Sequence, residues 1–181
     1  MSSVNGKYLK ISLIFFFVFT IGWTLGFMIP ATEQFKQASN GMGMLDLTPQ
    51  WNQHQMQTYL NDAGTAGRQI MVSIYQKEDF IFPLAYGPLL MLIMIWYGRK
   101  LKLSSKLIWL WVLLPLTTMA VDYWENFSAL HLLKIYPNID MVGSYLYMIT
   151  LAKWSLVGMG VIVITTLLVG FLFKRYRLNK R

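Results

Sequence analysis

The stretch FIFPLAYGPLLMLIMIWYGRKLKLSSKLIWLWVLLPLTTMAVDYW, residues Phe80 to Trp124, decides the fold. Two apolar runs, Phe80–Tyr97 and Leu107–Trp124, flank GRKLKLSSK, which carries Arg99, Lys100, Lys102 and Lys106 and no acid. Each run is close to the ~20 residues a helix needs to cross the hydrocarbon layer. A short basic connection makes the two runs antiparallel neighbours and places their shared end in the cytoplasm. Pro83 and Pro88 fall in the first half of the earlier run. Proline is tolerated in a membrane helix, but it frees backbone carbonyls and bends the helix.

The same pattern extends to both ends of the chain. Ile11–Ile29 is a third apolar run, preceded by Lys7 and Lys10. It is longer than a signal-peptide core, and the PATEQF that follows offers no small-x-small cleavage site, so it is read as a retained helix. Met141–Phe173 is the longest run and contains one charge, Lys153. At that length it must tilt or project beyond the bilayer. The tail adds Lys174, Arg175, Arg177, Lys180 and Arg181, whereas all eight acids lie in the other loops or at their edges. The positive-inside bias therefore places both termini in the cytoplasm and Ala31–Asp79 and Phe127–Asp140 outside. The expectation is an all-α integral membrane protein, a single membrane domain over residues 1–181. It is a four-transmembrane-helix bundle with N-in/C-in topology and short helices in the first outer loop, in a bacterial cytoplasmic membrane.

Composition agrees. Hydrophobic residues make up 55% and the mean hydropathy is +0.43, too apolar for an ordinary soluble domain. The net charge of +8 comes from clusters flanking apolar runs, which argues for membrane topology and against nucleic acid as a partner. With no cysteine there is no disulfide framework, thiolate nucleophile or Cys-ligated metal. His54 and His131 are the only histidines and form no metal motif. GxSxG, P-loop and dinucleotide fingerprints are missing too, so neither metal nor cofactor is expected.

The loop from Ala31 to Asp79 reads as partly helical. Gly41 and Gly43 mark an irregular start. Thr48 is a candidate helix cap with Pro49 in the first turn, Met56, Tyr59 and Leu60 share a face, and Asn61-Asp62-Ala63-Gly64 is a stop. A second helix is expected from Thr65 or Ala66 to Gln76, with Ile70 and Ile74 on its apolar side. Both pieces lie on the outer ends of the spans, either as plain amphipathic surface helices or as a lid.

The candidate site is the acidic end of the Leu107 run. Asp122, Glu125 and Asn126 have i, i+3, i+4 spacing and share one face, as do Thr150, Lys153 and Trp154 in the last span. Counting helical rise from Leu107 puts Asp122 about 22 Å up and still inside the hydrocarbon edge. A lone carboxylate in lipid costs several kcal/mol, so it turns inward or finds a partner. Lys153 is the embedded base and Asp122 or Glu125 its partner, with Arg68 in the outer loop as the other candidate cation. The expected catalytic set is Asp122, Glu125 and Lys153, dividing acid and base work. Arg68, Asp79, Tyr86, Asn126 and Trp124 are the expected ligand contacts.

The expected partner is a membrane lipid or lipophilic small molecule entering from the bilayer. Catalysis is one option and plain binding another. A second class is a non-catalytic assembly or accessory subunit. Gly22 and Gly26 form a Gly-x-x-x-Gly face suited to a protein partner or homo-oligomer. An oligomeric transporter is the weakest class, because the cytoplasmic halves of the runs are almost wholly apolar. Embedded acids and aromatics on four spans loosely resemble sterol-isomerase-type bundles, and the tryptophan content resembles that of the translocator and tryptophan-rich sensory proteins. Neither resemblance supplies a matching motif, and no site or activity follows from it.

Overall fold

The computed structural model describes residues 3–48 and 50–180, which among them form helices and connecting turns. α1 (Ser3–Trp23) passes through a π-helical turn, Thr24–Met28, into α2 (Ile29–Ala38). Next come α3 (Gln53–Asp62), α4 (Gly64–Gln76), α5 (Glu78–Leu101), α6 (Ser105–Ile135) and α7 (Val142–Asn179). Four helical stretches are long and apolar enough to cross a membrane: Gly6–Ala38, Gly64–Leu101, Ser105–Ile135 and Val142–Asn179. Their apolar windows are 0% buried in the first and only 11% buried in the last. Phe15, Phe17, Trp109, Leu110, Val161 and Ile162 all face outward. Exposing so much apolar area to water costs about 25 cal/mol per Å², a cost that lipid removes. The chain is an integral membrane protein.

The first helix does not stop at Ile29 but runs on to Ala38. Pro30 lacks an N–H and would clash with the carbonyl one turn back in a regular α-helix. The π turn absorbs this: the Ile29 N–H bonds the Thr24 carbonyl, five residues earlier.

α5 lies at the centre and packs against α1, α6 and α7. Thr20 and Trp23 tie α1 to it by donating to the backbone carbonyls of Ala85 (3.0 Å) and Glu78 (2.9 Å). α6 approaches closely at Gly87, where a Cβ would sit 2.0 Å from Met119 Sδ. At the basic end, Lys102 takes a left-handed conformation (φ 62°) and closes α5. Ser104 then caps α6 by accepting from the Leu107 N–H.

The largest hydrophobic core lies at the opposite end, under a cap made by α2, α3 and α4. Phe35, Met56, Leu60, Met71 and Ile74 interlock there with Leu132 of α6 and Leu146 of α7. The start of α3 differs from the sequence expectation. Asn52, not Thr48, is the cap, accepting from Gln55 N at 2.9 Å, while Gln55 Oε1 reaches back to Trp51 N. The Thr48 hydroxyl is engaged with the Met44 carbonyl (2.8 Å), and the expected first-turn residue Pro49 lies outside the described residues. Asn52→Ala is expected to cost about 1 kcal/mol of stability, the usual value of a lost helix cap. Detergent-titrated unfolding measures it, and no loss would show that tertiary packing alone holds α3. Gly64 makes the turn from α3 into α4 with φ +65°, a conformation glycine adopts without penalty.

Candidate functional site

The acidic end of α6 faces inward. Asp122, Glu125 and Asn126 are 4%, 2% and 2% exposed, so the i, i+3, i+4 face is the buried one. Pro83 explains the position of Asn126. Without the Pro83 N–H, the Asp79 carbonyl has lost its helical partner, and Asn126 Nδ2 donates to it at 3.1 Å. Tyr86, one turn further along α5, donates its hydroxyl to Asp122 Oδ2 at 2.7 Å.

Lys153 of α7 closes the cluster. Its ammonium lies 3.5 Å from Asp122 Oδ1, 3.5 Å from Asp46 Oδ2, and in direct contact with Glu125 Oε2. An ammonium has three N–H donors and meets three carboxylates here. Thr150, one turn before Lys153, donates to the other Glu125 oxygen. Asp122 Oδ1 and Glu125 Oε2 have no well-aligned hydrogen bond, so Lys153 holds them by charge rather than by bond geometry. One positive charge among three carboxylates leaves a negative surplus in a dry setting, where unbalanced charge costs several kcal/mol. A proton or a cationic group fits that surplus.

Of the expected residues, Asp122, Glu125, Lys153, Tyr86, Asn126 and Asp79 come together. Arg68 and Trp124 do not. Arg68 donates to the Leu60 carbonyl at 2.6 Å and to Thr65 Oγ1, and stacks 4.1 Å over the Tyr136 ring. It satisfies an orphan carbonyl at the end of α3, a common need at helix termini. Trp124 is 59% exposed on the opposite side of α6 from the acids. Asp46 joins the cluster unforeseen. Its one sequence clue is a charge set between Leu45 and Leu47, and Leu45 is itself buried in the cap.

Beside the cluster lies a cavity of about 370 Å³, walled by Leu47, Trp51, Tyr147, Leu151 and Trp154, with Asp46 and Thr150 as its polar wall. Trp51 and Tyr147 pack with ring centroids 5.2 Å apart, and Trp154 Nε1 donates to the Asp46 carbonyl at 3.0 Å. Behind this wall, Lys153 meets Asp46 and Glu125 meets Thr150, while Asp122 connects to the wall through Lys153. Among the described residues no group of three or more His, Cys, Asp or Glu side chains is arranged to hold a metal ion.

No family model, curated protein or solved structure matches the chain.

Proposed function

We propose that this protein is a four-helix membrane bundle that binds an amphipathic lipid or lipophilic small molecule in the Trp51–Tyr147–Trp154 cavity. The polar end of the ligand lies against Asp46 and Thr150. The observation that carries this reading is a largely apolar, open-sided cavity whose polar wall is hydrogen-bonded or ion-paired to buried charges. Apolar walls with a few placed polar groups are the usual make-up of small-molecule sites. The charge surplus around Lys153 adds a chemical option. In this reading Glu125 exchanges a proton with the ligand through the Thr150 hydroxyl, with Asp122 and Lys153 setting the charge around it, which is acid/base catalysis.

Charge placement supports an outward-facing site. Lys10 and Lys100 share the Trp96 ring, and Lys174 donates to the Lys100 carbonyl, which groups the basic ends of α1, α5 and α7 opposite the acid cluster. With basic ends cytoplasmic, both termini are inside and the cavity opens in the outer leaflet.

The test is retention of co-purifying lipophile, read by native mass spectrometry. Leu151→Trp fills the cavity and is expected to empty it. Asp46→Asn is expected to weaken retention about tenfold, the worth of a charge-assisted hydrogen bond. Wild-type loading of the Leu151→Trp protein would overturn the pocket. Asp122→Asn and Glu125→Gln address catalysis: both are expected to keep the ligand and lose turnover, and unchanged turnover would remove the acid/base step.

The accessory-subunit reading keeps one specific support. A Cβ at Gly22 of α1 or at Gly26 of the π turn would meet nothing within 4 Å, so both positions are open to a partner helix. Loss of a complex after Gly22→Leu, with lipophile retention intact, would favour it.

A further inference from the structure

A second cavity lies at the other end of the protein, between α1 and α5. It measures about 580 Å³ and is lined by Lys7, Lys10, Arg99 and Lys100, with Trp96 and Leu9 as apolar wall and no acid. Among the described residues these four cations have no carboxylate partner. Lys10 and Lys100 come from different helices yet place their ammonium groups 5.7 Å and 5.1 Å from the centre of the same Trp96 ring. Positive-inside bias explains why basic residues occupy this end. It does not explain why four of them from two helices converge on one cleft, against their mutual repulsion. An anion seated among them would relieve it.

The position of the cleft narrows the choice of anion. Lys7 and Lys10 begin the first apolar span, and Arg99 and Lys100 end the second. The cleft therefore opens at the depth of the lipid headgroups, with Leu9 and Trp96 beside it to meet the glycerol and upper acyl chain. Arginine pairs with phosphate through a planar fork and lysine as a point charge. We infer that this cleft is a binding site for the phosphate headgroup of an anionic phospholipid. The site stands apart from the cavity by Trp154 and does not depend on what that cavity binds.

Titrating phosphatidylglycerol into the full chain in a non-ionic detergent, with bound lipid counted by native mass spectrometry, tests it. Each basic residue near a membrane surface contributes about 1 kcal/mol, so the Lys10→Gln/Lys100→Gln double variant is expected to bind about thirtyfold more weakly. Lys102→Gln/Lys106→Gln removes the same charge from the neighbouring α5–α6 connection but does not touch the cleft, and is expected to bind nearly as wild type. An equal loss in both pairs would mean diffuse attraction to a basic surface and would overturn the site. Phosphatidylcholine binding as tightly as phosphatidylglycerol would overturn it as well. Glycerol phosphate carries the headgroup chemistry without chains. Displacement of the lipid by glycerol phosphate at matched concentration would assign the cleft to a soluble anion instead.

Discussion

Lys153→Met is expected to destabilise the protein by about 3–5 kcal/mol, the cost of removing one partner from a buried ion cluster. Lys153 is the cation shared by Asp46, Asp122 and Glu125, and all three would be left without a countercharge. The acids are not equivalent to it. Glu125→Gln removes part of a negative surplus and leaves Lys153 with two partners, so it is expected to cost much less, about 1 kcal/mol. Reversible unfolding in mixed micelles of rising denaturing-detergent content measures both. The asymmetry is the diagnostic result. Equal costs would show that contact geometry, not charge balance, holds the cluster, and a stable Lys153→Met protein would dissolve the site.

Phe35→Ala is expected to be as severe, at about 3–5 kcal/mol, because the ring is fully buried and its removal leaves a cavity. Phe35 packs from α2 onto α4 at Gly67, where its ring lies 3.5 Å from where a Cβ would stand. Ser39, one turn on and buried, seats against the same Gly67, so the ring and the start of the segment that follows share one contact on α4. That segment delivers Asp46. The same substitution is therefore expected to loosen the Asp46–Lys153 contact and reduce lipophile loading. Hydrogen exchange across Met42–Asp46 reports the loosening. A loss below about 1 kcal/mol would place the weight of the cap elsewhere.

Much of the fold is legible in the amino-acid order because bilayer thickness imposes a length on every apolar run. Phe80–Tyr97 and Leu107–Trp124 fall inside α5 and α6, and the Met141 run falls almost wholly inside α7, which starts one residue later. Helix ends are less legible. Once outside the hydrocarbon layer, a helix continues for as long as tertiary packing rewards it. Leu132 lies beyond the Leu107–Trp124 run yet is fully buried, and α6 reaches Ile135 because the cap covers that face. The candidate site divides in the same way. Asp122, Glu125 and Asn126 follow from helical periodicity, a local property. Asp46 reaches Lys153 across the length of the chain through an irregular loop, and no period marks it. Arg68 illustrates the reverse: a cation in an outer loop suggests a headgroup contact, yet the nearest unmet need is a carbonyl at the end of α3.

The five-residue π turn at Thr24–Met28 uncouples two surfaces that a regular helix would lock together. Below it, Thr20 addresses α5; above it, Ala31 and Phe35 address the cap. In a uniform α-helix the angle between those two faces follows from residue count alone, at about 100° per step. Widening one turn resets that angle, so the lipid-facing anchor and the docking face of the cap can each be aligned with its own neighbour.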